Sequence, residues 1–161
     1  MRKIQMVDLK GQYEGIKDQI SSSFEEVITS TAFINGPEVQ NFQKELEGYL
    51  GVKHVIPCGN GTDALQIAMM GLGLKPGDEV ITADFTFAAT VEVIALLGLT
   101  PVLVDVEPDT FNIDPEKVKA AITPKTKVLY CESVSNPLLE VADIEGLAEL
   151  AKKHNLQLVV D

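Results

Sequence analysis

Five short apolar runs, at residues 54–58, 79–82, 101–105, 127–131 and 156–160, are separated for the most part by segments of helical periodicity at 62–72, 86–97, 115–122 and 144–154. This alternation constrains the fold more than any other feature. A run that short cannot satisfy its own backbone and must pair as a strand, and a helix between two strands carries the chain back so that the second pairs parallel to the first. The expected fold class is α/β: three layers, with a mainly parallel sheet and helices on both faces.

Ahead of the alternation stand two helical patterns. Leu9, Ile16, Ile20, Phe24, Val27 and Ile28 recur at mostly three- and four-residue steps, with Gln12, Lys17, Asp18, Glu25 and Glu26 on the other side, so the segment to about Ser30 reads as one amphipathic helix. Asn35-Gly36-Pro37 breaks it, and a second helix carrying Val39, Phe42, Leu46, Tyr49 and Leu50 runs to Gly51. The expected organisation is an N-terminal helical segment, 1–52, and an α/β portion, 53–161, within one compact unit; 161 residues is about one domain.

Charge and composition exclude several partners. Thirteen basic against 24 acidic residues leave a net charge of −11, which gives no basic face for nucleic acid. No apolar stretch approaches the roughly 20 residues that span a bilayer, and Met1–Gln5 lacks the apolar core of a secretion signal. A soluble, cytoplasmic protein without a membrane partner is expected. Cys58 and Cys131 are expected to be reduced, partly buried thiols, and neither they nor His54 and His154 have metal-ligand spacing, so no metal site is expected.

The turn Gly59-Asn60-Gly61-Thr62 falls between the first run and the first helix of the alternation. Ligands of open α/β sheets bind beyond the carboxyl ends of the strands, where helix N-termini present unpaired N–H groups. Two glycines allow tight or left-handed backbone and close approach, and Thr62 adds a hydroxyl, so the turn suits a phosphate. The alternative is a plain helix cap by Thr62 or Asn60, with Asp63 favourable in the first turn. It matches neither the G-x-x-x-x-G-K-[ST] loop nor the G-x-G-x-x-G fingerprint.

The long stretch "GNGTDALQIAMMGLGLKPGDEVITADFTFAATVEVIALLGLTPVLVDVEPDTFNIDPEKVKAAITPKTK", with "VDLKGQYEGIKDQI" and "FINGPEVQNFQKELEGYLGVKHV" before it, resembles the large domain of the DegT-type sugar aminotransferases. These are pyridoxal 5'-phosphate (PLP) enzymes of the aspartate aminotransferase fold that aminate keto sugars attached to nucleotides. The resemblance covers roughly residues 4–127. It implies that Gly61, Thr62 and Asp63 bind the cofactor phosphate and that Phe87 stacks on the pyridine ring; a buried core phenylalanine is the alternative for Phe87. It also implies an amino donor and a nucleotide-sugar substrate as small-molecule partners, and a homodimer.

Beyond Lys127 the wording changes. "VLYCESVSNPLLEVADIEGLAELAKKHNLQLVVD" resembles the cystathionine γ-synthase and methionine γ-lyase family, through Glu132, Ser133, Ser135, Asn136 and Pro137. That suggests a chimera, natural or built. The second resemblance implies that Asn136 lies beside the cofactor's ring hydroxyl, against the alternative of a simple turn residue before Pro137. Both families place a carboxylate on the strand ending in Val-Val-Asp, where it pairs with the pyridine nitrogen and keeps it protonated; Asp161 is that position, although its place at the terminus leaves its orientation poorly secured. In both families the Schiff-base lysine lies tens of residues further on, past Asp161, and Lys152 and Lys153 sit on a helix at the wrong place. No catalytic residue is therefore expected in this chain, which is expected not to turn over. The function expected is the N-terminal portion of a PLP-dependent nucleotide-sugar aminotransferase. The alternatives are a designed or recombined scaffold without catalysis and a γ-lyase or γ-synthase of sulfur amino acids. An unpartnered last strand is further expected to promote self-association.

Overall fold

The computed structural model describes residues 6–161, so the reading of Met1–Gln5 lies outside the described residues. The chain divides after Pro57 into two compact units, Met1–Pro57 and Cys58–Asp161.

The first unit holds two helices. α1 (Leu9–Ser30) starts at Asp8, whose carboxylate accepts from the Gly11 N–H at 3.0 Å and satisfies one of the first-turn amides that have no intrahelical acceptor. Asn35 and Gly36 interrupt the chain as expected. Pro37 then opens α2 (Pro37–Leu50), where its missing N–H costs nothing, and Gly51 closes that helix in the left-handed region at φ +66°. The apolar stripes are exposed, not buried, with Phe24, Ile28, Phe42 and Tyr49 all open to solvent.

Residues 54–58 do not form the strand their apolar character predicts. Pro57 has no N–H for a ladder, and the Val55 N–H donates instead to the Glu47 carboxylate at 3.1 Å. Residues 53–57 accordingly belong with the helical unit.

The second unit contains the alternation. α3 (Gly61–Gly71), β1 (Glu79–Ala83), α4 (Ala88–Leu96), β2 (Thr100–Val104), α5 (Pro115–Ala121), β3 (Thr126–Cys131), α6 (Ile144–Lys153) and β4 (Gln157–Val160) follow one another, and every strand lies within one residue of its predicted ends. The strands pair in parallel in the order β2-β1-β3-β4. Successive side chains enter opposite cores. Val80, Val128 and Tyr130 pack with Met69 of α3 and with Val93 and Ile94 of α4. Ile81, Leu129 and Cys131 face the other way, against Val118 of α5 and Leu147 of α6. The three-layer parallel fold is thus present, with α3 and α4 on one face and α5 and α6 on the other.

The order also fixes where the layers open. The chain leaves β1 through α4 to reach β2 on one side, then returns through α5 across the opposite face to β3 on the other side. Right-handed crossovers that move in opposite directions must lie on opposite faces, so the helices diverge beyond the carboxyl ends of β1 and β3. β4 forms one edge of the sheet, with Val160 partly exposed on it.

Leu129 is fully buried in the centre of β3. Leu129→Ala should cost about 2–5 kcal/mol through lost transfer energy and the cavity left behind, read as a lower urea midpoint at an unchanged slope.

Candidate functional site

The strand ends at the divergence point feed two loops, Asp84 to Phe87 after β1 and Glu132 to Pro137 after β3. Between them lies an open cavity of about 390 Å³, lined by Phe85, Thr86, Phe87, Glu132, Asn136 and Pro137. The Thr86 hydroxyl donates to the half-buried Glu132 carboxylate at 3.0 Å and ties the loops together. Thr86 and Glu132 are separated by 46 positions in sequence, yet each directly follows one of two adjacent parallel strands.

Phe87 is the N-cap of α4, and its backbone stays extended. The expected helix 86–97 therefore begins two residues late, which leaves Thr86 and Phe87 on the cavity wall. At 75% exposure the Phe87 ring is not a core side chain, which rules out the buried alternative. Phe85 stacks on Phe111 with ring centroids 4.9 Å apart, anchoring the loop that carries Phe87.

The loop bearing Asn136 is braced from below. Val134 bridges Val141, the Ser135 N–H donates to the Glu140 carbonyl at 2.9 Å, and the Glu140 N–H donates to Ser135 Oγ at 3.2 Å. Ser135 is buried and Asn136 is exposed, so the side chain presented to the cavity rim rests on a fixed neighbour.

Asp161 is better secured than its terminal position suggests. Its N–H donates to the Cys131 carbonyl at 3.0 Å and its carbonyl accepts from the Ser133 N–H at 2.7 Å, which prolongs the β3–β4 ladder past β4. The Tyr130 hydroxyl donates to Asp161 Oδ2 at 2.7 Å. Burial raises the Tyr130 phenol well above its ordinary range, and the hydrogen-bonded Asp161 carboxylate raises it further. Burial likewise pushes the Cys131 thiol up to about 11, with the Glu132 charge adding to it.

The glycine turn is a cap and something more. Asn60 caps α3: its Oδ1 accepts from the Asp63 N–H at 2.9 Å and its Nδ2 donates to Asp63 Oδ2 at 3.0 Å. Of the tight or left-handed backbone that glycine allows here, the left-handed form is not taken, since neither Gly59 nor Gly61 has positive φ. Gly61 has instead an empty Cβ direction, with no protein atom within 4 Å of an added methyl. Among the described residues, no protein group accepts from the Gly61 or Thr62 N–H or pairs with the Thr62 hydroxyl. Three convergent neutral donors at the positive end of an 11-residue helix, with the one nearby carboxylate turned onto Asn60, form a donor set suited to a phosphate ester.

Because α3 runs back toward the amino end of β1, its N-terminus lies toward the carboxyl edge of the sheet, the edge that also carries Asp161. The cavity brings Phe87 and Asn136 together. Gly61, Thr62, Asp63 and Asp161 do not line it. Sequence reasoning passed over Thr86, Thr90 and Tyr130; the usable signal was their place just beyond, or in the last turns before, a parallel strand's carboxyl end. Both cysteines are free as thiols, but Cys58 is exposed and Cys131 buried, so neither is the partly buried group expected. No helix among the described residues is long and apolar enough to cross a membrane.

A parallel three-layer sheet whose helices diverge at the carboxyl ends of two adjacent strands has the layout in which open α/β domains bind their ligands. The chain belongs to the DegT/DnrJ/EryC1/StrS aminotransferase family, whose model matches residues 14–161. It is 44% identical over 158 residues to UDP-2-acetamido-2-deoxy-3-oxo-D-glucuronate aminotransferase of Pseudomonas aeruginosa, a match that covers 98% of this chain and 43% of that protein. Among solved structures, S. venezuelae DesV in complex with a ketimine intermediate superposes with a TM-score of 0.92 at 34% identity, over 99% of this chain and 42% of that one. NtdA of Bacillus subtilis with bound cofactor PMP gives 0.83 at 35% identity, over 89% and 32%. The chain thus spans less than half the length of these relatives. The family match runs unbroken through residues 128–161 and gives no support to a join after Lys127.

Native protein at pH 8 should release one thiol equivalent to a disulfide reagent rapidly, from Cys58, and the second only on unfolding. Because the folded Cys131 value of about 11 lies above the ordinary value of 9.0, the contribution of that thiol is present below pH 9 and is lost as pH rises toward 11. The urea midpoint should fall across that window, and less so in Cys131→Ala.

Proposed function

We propose that this chain supplies the phosphate- and ring-binding part of a PLP-dependent aminotransferase that acts on nucleotide-linked keto sugars. The observation that carries the reading is an α3 N-terminus whose first two amides have no protein partner, in a unit that also holds the Asp161 carboxylate on a buried phenol. Family membership supports it, as do the sugar-nucleotide substrate named for the P. aeruginosa relative and the PMP bound to NtdA.

In this reading the Gly61 and Thr62 N–H groups and the Thr62 hydroxyl hold the cofactor phosphate. Asp63 keeps Asn60 in its capping position by accepting from its amide. Phe87 lies against the ring face, and Asn136 donates to the ring hydroxyl. The Asp161 carboxylate accepts the ring N–H and favours its protonated state. When bound, PLP supplies the electron sink that amino-group transfer requires. An amino donor and a nucleotide sugar are the substrates. A homodimer is part of the proposal, as is a cytoplasmic setting, which two free thiols suit.

Equilibrium titration with PLP and, separately, inorganic phosphate tests the phosphate site. Thr62→Ala should weaken both about tenfold or more, the loss of a hydrogen bond to a charged group. Gly61→Ala should leave the urea midpoint unchanged or slightly raised, because its Cβ meets no protein atom, while reducing affinity for both ligands by blocking their approach. Affinities equal to wild type in both variants would remove the proposal.

A further inference from the structure

Tyr130 has no role in the reading above, although its hydroxyl is among the most enclosed polar groups of the second unit. The residue is 1% exposed, and its ring is packed between the β-sheet and Val93 and Ile94 of α4. A ring held so tightly cannot swing, so its oxygen is a fixed point. That oxygen has one side-chain hydrogen-bond partner among the described residues, Asp161 Oδ2 at 2.7 Å. The phenol has a single proton, and Asp161 can only accept it. Burial and the neighbouring charges keep the phenol protonated across the neutral range. The proton is therefore committed to Asp161 Oδ2.

Asp161, in contrast, is exposed on the last residue of the ladder. Its backbone is held but its side-chain torsions are not, except through Tyr130. Glu132, the other carboxylate acting on the phenol, is occupied by Thr86. Among the described residues Asp161 Oδ1 has no hydrogen-bond partner.

We propose that Tyr130 is a positioning residue: by donating to Oδ2 it fixes the Asp161 carboxylate so that Oδ1 is left to receive a ring N–H. The inference rests on the assignment of Asp161 to the cofactor ring nitrogen. It concerns how the carboxylate is oriented, which that assignment leaves open.

The test compares PLP with 1-deaza-PLP, in which a ring C–H replaces the nitrogen, by equilibrium titration of the full chain as wild type, Tyr130→Phe, Asp161→Asn and the double variant. Tyr130→Phe should weaken PLP about tenfold and leave the deaza analogue unchanged. The double variant should bind PLP no more weakly than Asp161→Asn alone, because Tyr130 acts through that carboxylate. Without any cofactor, the Tyr130 hydroxyl proton should give a slowly exchanging downfield resonance that is absent in Tyr130→Phe and moves upfield in Asp161→Asn. If Tyr130→Phe binds PLP as wild type does while Asp161→Asn does not, or if the two losses multiply, the positioning role is wrong and the ring assignment survives. If wild type fails to distinguish PLP from its deaza analogue, the assignment of Asp161 itself is wrong and the inference falls with it.

Discussion

The β1–β3 ladder is the constraint from which the site follows. Its residues are buried on both faces, Val80 and Val128 toward α3 and α4, Ile81 and Leu129 toward α5 and α6. A strand pair covered on both sides has water only at its ends, so any polar chemistry it positions must sit beyond the last paired residue. The crossovers choose which end. They separate the helices at the carboxyl edge, so the loops after β1 and β3 meet there with space between them. Thr86 and Glu132 close the floor of that space with one hydrogen bond.

What the ladder fixes, the loops then present. The side chains assigned to ligand contact are exposed: Phe87, Asn136, Thr62 and Asp161 all reach solvent. Three of the four stand on a residue that is buried or backbone that is paired. Phe87 precedes the buried Ala89 and Thr90, Asn136 follows the buried Ser135, and Asp161 hangs from a prolonged strand pair and a buried phenol. Exposed groups of low intrinsic order gain fixed positions from immobile neighbours, which is the arrangement that binding with little ordering cost requires.

The strands and helices of the second unit were legible because their signals are local: short apolar runs for strands buried on both faces, with segments of helical periodicity between them. Residues 54–58 misled because apolar character is necessary for a strand but a ladder partner is also needed, and Pro57 weakens the claim to one. The Gly59–Gly61 turn was legible as a candidate anion site, but for one wrong reason. The backbone there is ordinary, and the value of Gly61 lies in the methyl it lacks. Tyr130 was illegible because an aromatic in the middle of an apolar strand reads as core. That reading is right for its ring. Only the fold reveals that its hydroxyl meets a residue 31 positions away.

Net charge sharpens the case for the α3 terminus. With 24 acidic and 13 basic residues, the chain repels a phosphate at long range, and no lysine or arginine lies in the turn to offset this. An anion site in such a molecule must be short-ranged and built from neutral donors, whose partial charges act within a few ångströms and are aligned by the helix. Asp63 would undo that locally if its carboxylate faced the free amides. Its Oδ2 accepts from Asn60 Nδ2, while the same Asn60 caps the Asp63 N–H through Oδ1. One side chain thus satisfies the third amide, restrains the Asp63 carboxylate and leaves the first two amides open, so the cap and the proposed anion site are compatible and not competing explanations.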